Sequence, residues 1–173
     1  ALAVNLAEKL NGEIISADSR QVFRGMSIGT GKDLDDYIID DKVIPYHLID
    51  IKDAGETYSV FQFQKDFLEA YEDIKARKRF PVLSGGTGLY VESVVKQYRL
   101  LDVPRNQKLR DELSDKTVEQ LSEILAGMKN MHNETDIDTR QRAIRAIEIE
   151  EYQKSNHIEE TNMPELTPLV VAP

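Results

Sequence analysis

Apolar residues recur at three- and four-residue intervals in two separate stretches, and this spacing predicts amphipathic helices. Leu2, Leu6 and Leu10 form the first stripe, which stops at Asn11-Gly12. No Ser, Thr, Asp or Asn precedes Ala1 as a cap, so the sequence reads as opening inside a helix, with the natural start expected further upstream. Val60, Phe63, Phe67, Tyr71 and Ile74 form the second stripe behind Ser59, a residue suited to an N-cap. Its basic end (Lys75, Arg77, Lys78, Arg79) complements the helix dipole. Short apolar runs predict strands at Glu13 to Ala17, His47 to Ile51 and Phe80 to Ser84. A polar, glycine-marked stretch separates the first two and runs to about Pro45. The third leads straight into Gly85-Gly86-Thr87-Gly88-Leu89-Tyr90 and a further helix. Strand, helix, strand, glycine turn, helix is the layering of an α/β fold with a parallel sheet.

The pattern changes between Leu101 and Met163. Arg105 to Leu113, Val118 to Met128 and Thr139 to about Lys154 all read as helices, with no strand between them. Thr117 and Gln120 have the spacing of a capping box, and Asp138 is placed to cap the last helix. Pro168 to Ala172 reads as a return to the sheet. The expected plan is an α/β core made of residues 1–100 and 164–173, interrupted by a helical insertion of residues 101–163.

Composition narrows the function classes. Hydrophobic residues are 40% and charged residues 31% of the 173, ordinary for a globular domain. No run approaches the roughly 18 apolar residues of a membrane span. The absence of cysteine excludes disulfides, thiolate zinc sites and cysteine nucleophiles, and fits a cytoplasmic setting. His47, His132 and His157 show no metal-ligand spacing. A net charge of -9 argues against broad, nonspecific nucleic-acid binding, yet leaves room for a local basic patch.

Three stretches could carry chemistry. In Ser16 to Gln21, Asp18 stands just past a strand's carboxyl end, where ligands bind in open α/β sheets and where a general base is expected. The plainer reading is that Asp18 or Ser19 caps a turn. In Gly85 to Tyr90, glycines and free N–H groups at a helix start suit a diphosphate; a tight strand-to-helix turn explains them equally. In Gln141 to Arg145, with Arg140, arginines gather within about two turns and suit phosphates and bases. An ordinary charged helix face with i,i+4 partners accounts for them as well.

Two stretches imitate known motifs. Gly25 to Lys32 resembles a Walker A loop, but its glycines stand six apart and Asp33 follows the lysine, so a P-loop is not read here. Asp35 to Asp41 resembles an aspartate-rich magnesium motif with its spacing off by one, and reads as a solvated loop or short helix.

Taken in order, IISADSRQVFRGMSIGTGK, HLID, LSGGTGLYVESVV and DIDTRQRAIRAIEI resemble the tRNA dimethylallyltransferase family, also called tRNA isopentenyltransferases, over most of Glu13 to Ile149. The resemblance implies a P-loop-kinase-like sheet flanked by helices, with a helical insertion that grips tRNA. It implies transfer of a dimethylallyl group from dimethylallyl diphosphate to the exocyclic amine of adenosine at tRNA position 37. It places the P-loop, with the lysine and threonine that hold the diphosphate and Mg2+, ahead of Ala1, and a basic C-terminal half beyond Pro173. These 173 residues alone are therefore expected to be inactive. Asp18 and Thr87 are the catalytic candidates, with Asp18 accepting a proton from, or hydrogen-bonding, the adenine amine. Asp18, Ser19, Arg20, Gln21, Thr87, Arg110, Gln141, Arg142, Ala143, Ile144 and Arg145 are the implied tRNA contacts. Gly85, Gly86 and Gly88 are candidates for the diphosphate. Thr30 and Lys32 fall where the family has Gly-Thr-Ala-Lys, with Gly31 in place of the alanine. A monomer is expected. Three readings stay open beside this one: an adenylate isopentenyltransferase acting on free AMP or ATP, a P-loop-type small-molecule kinase, and a noncatalytic RNA-binding relative.

Overall fold

The computed structural model describes residues 2–128, 138–156 and 163–171. Its first helix, α1 (Leu2–Lys9), ends where Asn11 takes a left-handed φ of 49° and turns the chain into β1 (Gly12–Ser16). Gly12 begins that strand because a Cβ there would stand 2.5 Å from the Phe80 carbonyl oxygen of the neighbouring strand. A 3-10 turn (Leu34–Tyr37, capped by Asp33) leads into the hairpin β2 (Ile38–Ile39) and β3 (Lys42–Val43). Then follow β4 (Tyr46–His47), α2 (Val60–Ala76), β5 (Phe80–Ser84) and α3 (Gly88–Val95). Strands β4, β1 and β5 lie in that order in a parallel sheet, with Ile15 opposite His47 on one side and Leu83 on the other. The parallel sheet with flanking helices is the α/β class expected of a P-loop-kinase-like protein.

The chain divides into two compact units, Ala1–Arg99 with Asn162–Pro173, and Leu100–Thr161. In the first, α2 lays Phe63, Phe67, Ala70 and Ile74 onto Ile15, Ala17, Tyr90 and Val94, and Phe63 stacks on Tyr90 at 4.2 Å. The capping box of Ser59 and Gln62 fixes the start of α2. On the other face, Val4 and Ala7 of α1 meet Ile14, Ile44 and Val82. The second unit holds α4 (Gln107–Glu112), α5 (Val118–Met128) and α6 (Arg140–Ser155) around Leu113, Leu121, Leu125, Ala143, Ile144 and Ile147. The Thr117–Gln120 capping box is present.

Several expectations need correction. The strand expected over His47 to Ile51 is only Tyr46–His47, because Leu48 (φ 64°) and Asp50 (φ 55°) adopt left-handed backbone that breaks the pleat. The polar, glycine-marked stretch up to Pro45, whose Asp35 to Asp41 read as a solvated loop or short helix, holds the 3-10 turn and also a hairpin, turned by Asp40 and Asp41 at φ 47° and 60°, the positive pair a tight two-residue turn requires. Thr139, and not Asp138, caps α6; Asp138 instead pairs with Arg142. Residues 163–171 form no strand: Met163 and Leu166 pack on the first unit's core, whereas Leu169 and Val170 are exposed and pair with no sheet neighbour. His132, His157 and Ala172 lie outside the described residues.

Sequence reading also missed a buried carboxylate inside β1. Glu13 is fully enclosed and meets Arg77, Arg79 and His47. Burial pushes its carboxyl up, but the hydrogen bonds from Arg77 and His47 outweigh that and hold it below the usual range. The pattern hid this residue because a lone Glu in an apolar run looks like a solvent-facing strand position.

Candidate active site

Strand β1 delivers Asp18 to the carboxyl end of the sheet, and β5 delivers the glycine turn to the same place. The two strands stay in register to the last pair, Ser16 opposite Ser84, and the Ala17 N–H continues the ladder to the Ser84 carbonyl at 2.8 Å. Beyond that point the turn folds back onto β1. The Thr87 N–H donates to the Ala17 carbonyl at 3.0 Å. Gly85 makes this approach possible, since a Cβ at that position would stand 2.3 Å from Ala17 backbone atoms. Its glycine requirement is therefore explained by packing of one strand end on the other. Gly86 faces Asp18, 3.4 Å from Oδ2 to the ideal Cβ position, and Gly88 opens onto free space.

Asp18 is nearly buried, with 7% exposure, and its two oxygens differ. Oδ1 accepts the Arg20 N–H at 2.9 Å, closing a small turn, with the Arg20 guanidinium 3.9 Å away. Oδ2 has no donor among the described residues and is not sealed from solvent. Thr87 provides no side-chain cap to α3 because its hydroxyl is engaged across the strand ends. It accepts the Ser19 N–H at 2.9 Å and donates to Ser19 Oγ at 3.1 Å. That arrangement leaves the Ser19 O–H as a donor directed away from Thr87. Gln21 faces inward: it accepts from Ser16 Oγ at 2.9 Å and donates to the Gly31 carbonyl at 3.1 Å. The hydroxyl of Tyr90 is held in its neutral form by burial first and by the Asp18 charge second.

The structure thus brings Asp18, Ser19 and Thr87 together, with Arg20 exposed at the rim and Gln21 locked in the loop behind them. The second unit distributes its expected residues differently. Arg110 and Arg145 both turn onto the buried Glu148, and Arg110 grips it with two hydrogen bonds of 2.6 and 2.7 Å. Ala143 and Ile144 are core residues of the helical unit, clustered with Leu121 and Leu125, so side-chain contact from the expected Gln141 to Arg145 stretch would rest on its polar members. Arg142 is exposed and paired with Asp138 at 2.7 Å, and Gln141 is exposed. Glu148 was missed as the partner of these arginines, although its i,i+3 spacing from Arg145 was the available signal.

The family model for IPP transferase matches residues 21–171. The chain belongs to the IPP transferase family. tRNA dimethylallyltransferase 2 of Bacteroides fragilis is 59% identical over 169 residues, covering 98% of this chain and 55% of that protein. tRNA dimethylallyltransferase 1 of Parabacteroides distasonis is 60% identical over 153 residues, covering 88% of this chain and 50% of that protein. Among solved structures, a eukaryotic dimethylallyltransferase acting on tRNA matches with a TM-score of 0.67 at 27% identity, over 86% of this chain and 37% of that one. The tRNA isopentenylpyrophosphate transferase of Bacillus halodurans matches with a TM-score of 0.53 at 40% identity, over 85% of this chain and 49% of that one. As a member of the IPP transferase family, the chain spans about half the length of the curated relatives it matches.

Proposed function

We propose that the full-length protein carrying this chain transfers a dimethylallyl group from dimethylallyl diphosphate to the exocyclic amine of adenosine at position 37 of tRNA. The observation that carries this reading is Asp18, held by one oxygen and open at the other, beside the Ser19–Thr87 hydroxyl pair at the carboxyl end of a parallel sheet. Kinship with proteins named tRNA dimethylallyltransferase supports prenyl transfer to tRNA.

In the proposed reaction the adenine amine attacks the allylic carbon, the bond from that carbon to the diphosphate oxygen breaks, and the amine loses a proton. Asp18 Oδ2 is the acceptor for that proton. An aromatic amine is a weak nucleophile, so a carboxylate that takes the proton as the new bond forms lowers the barrier. The Arg20 N–H on Oδ1 fixes the carboxyl plane, and the Ser19 O–H, left free by the Thr87 bond, would donate to a ring nitrogen of the base. The target base must leave its stack to enter a site of this kind. Gly86 and Gly88 remain the candidates for the diphosphate on this chain; Gly85 is committed to Ala17. Arg20, Gln141 and Arg142 are the candidate tRNA contacts with exposed side chains, and a cytoplasmic monomer is part of the proposal. No helix among the described residues is long and apolar enough to cross a membrane. Magnesium is implied by the family, but no cluster of three or more His, Cys, Asp or Glu is gathered among the described residues, so no step is routed through it.

The test is turnover of the full-length enzyme with dimethylallyl diphosphate and either tRNA or AMP as acceptor. Prenyl transfer to tRNA alone is expected, and Asp18→Asn should lower turnover by about 10²–10⁴-fold while tRNA binding persists. Near-normal turnover of that variant removes Asp18 from the chemistry, and transfer to AMP alone replaces the tRNA reading by that of an adenylate isopentenyltransferase.

A further inference from the structure

The stretch that imitates a Walker A loop ends in Lys32, and the structure gives that lysine a different occupation. Its side chain is 2% exposed, with Nζ donating to the Phe23 carbonyl at 2.6 Å and to Asp50 Oδ1 at 2.5 Å. An ammonium withdrawn from water this far is costly unless paired and hydrogen-bonded, and here both conditions are met inside the protein. Lys32 is therefore not presented to a phosphate. It closes a loop: Phe23 lies nine residues back along the chain, and Asp50 belongs to the segment leaving β4.

What this loop holds is the candidate active site. Residues 17–32 leave the end of β1 and return to the body of the first unit. The Asp50 N–H donates to the Gln21 carbonyl at 3.1 Å, the Ile51 N–H to the Val22 carbonyl at 2.9 Å, and the Arg24 N–H to the Lys52 carbonyl at 2.7 Å. The Gln21 side chain spans from Ser16 to Gly31, the residue before Lys32. Asp50 makes its contribution from left-handed backbone at φ 55°, a conformation that costs a non-glycine residue energy and so needs anchoring. Lys32 thus ties the far end of the segment that carries Asp18 and Ser19, and through Phe23 its middle, to the chain leaving β4.

We propose that the Lys32–Asp50 pair is a positioning clip for the Asp18 segment, acting on the reaction by fixing where the carboxylate stands and touching no substrate itself. This rests on the prenyl-transfer reading above for its kinetic arm, and on geometry alone for its second arm. Displacement of a reacting group by about 1 Å can cost about 10²-fold in rate. Lys32→Met keeps the length and apolar stem of the side chain, and Asp50, 35% exposed at its side chain, can then be hydrated, so the fold is expected to survive. Asp50→Asn retains a residue type that tolerates left-handed backbone and removes only the charge.

In the full-length enzyme, each variant should lower kcat, counted per folded enzyme so that a loss of stability does not imitate it, about 10- to 100-fold with the KM for dimethylallyl diphosphate within about twofold. The double variant should be no slower than either single one, since the two act as a unit. Hydrogen exchange of the amides of residues 18–24 should quicken at least about tenfold in both, while α2 keeps its protection. Unchanged kcat, additive losses in the double variant, or unchanged exchange at residues 18–24 would each overturn the clip. If Lys32→Met fails to fold, Asp50→Asn decides the question. If the parent enzyme transfers no prenyl group to tRNA, the functional reading fails, and exchange alone still judges the clip.

Discussion

Glu148 is the perturbation point of the helical unit. Its side chain is wholly buried, and each oxygen has two donors: Oε1 takes Arg110 Nε at 2.6 Å and the Asn106 N–H at 3.0 Å, and Oε2 takes Arg110 Nη2 at 2.7 Å and Arg145 Nη1 at 3.0 Å. Arg145 also reaches the Val103 carbonyl at 2.9 Å, so one carboxylate joins α4, α6 and the loop before α4. Burial pushes the Glu148 carboxyl up, yet these donors outweigh it and hold it at about 2, below its ordinary 4.5. A value depressed in the folded state means stability that is complete above about pH 4.5 and is lost as the pH falls toward 2. At about 1.4 kcal/mol per pH unit this amounts to about 3 kcal/mol. Glu148→Gln keeps the shape but leaves two guanidinium groups facing a neutral amide, a loss of about 3–5 kcal/mol for a broken buried pair. A chain of two units need not melt as one, so the readout is native-state hydrogen exchange of the α6 amides. The parent should lose α6 protection as the pH falls from about 4.5 toward 2, and Glu148→Gln should begin near the low value and change little. Protection of the variant within about 1 kcal/mol of the parent at pH 7, or parallel loss in both on acidification, would refute this account.

Three further perturbations separate packing from chemistry. Gly85→Ala would drive a Cβ into the Ala17 backbone, so it should cost about 1–3 kcal/mol in chemical unfolding of the first unit; a neutral effect would mean that the strand ends separate freely. Thr87→Val removes the acceptor of the Ser19 N–H, and turnover should fall about tenfold with near-parent unfolding; full turnover would detach the hydroxyl pair from the reaction. Arg142→Ala deletes an exposed side chain whose Asp138 pair adds little stability, so α6 should stay protected while the salt dependence of tRNA binding weakens by about one unit in slope. An unchanged slope would take Arg142 out of the interface.

The fold was legible wherever one periodicity ruled a whole element. The stripe behind Ser59 and the run Phe80 to Ser84 appear as helix and strand at the expected places. Legibility failed where backbone angle, and not side-chain pattern, decided: Leu48 and Asp50 cut short a run that reads as a five-residue strand, and Asp40-Asp41 turn a hairpin without the glycine that usually signals one. The meeting of Asp18 with Thr87 needed two distant stretches to be adjacent strand ends, which a parallel pairing of β1 with β5 provides and no local pattern encodes. The arginines illustrate a different limit. Sequence shows where charges stand but not which carboxylate consumes them, and Arg110 and Arg145 spend theirs on Glu148.

That distribution bears on how a chain of net charge -9 would meet the polyanionic substrate proposed above. Arg77 and Arg79 answer Glu13, Lys32 answers Asp50, and Arg110 and Arg145 answer Glu148, so five of the 22 lysines and arginines face buried or half-buried carboxylates. What stands around Asp18 is a carboxylate oxygen, a hydroxyl relay and one exposed guanidinium from Arg20. Phosphate contacts position a nucleic acid, whereas base edges are read by hydrogen-bond donors and acceptors of this kind. In the proposed reaction the Asp18 carboxylate and the Ser19 hydroxyl suit an adenine edge, and the grip on the RNA backbone would fall to exposed arginines such as Arg142. Binding strength and base chemistry are then separable by salt: raising ionic strength should weaken tRNA affinity steeply and leave the turnover of bound tRNA nearly constant.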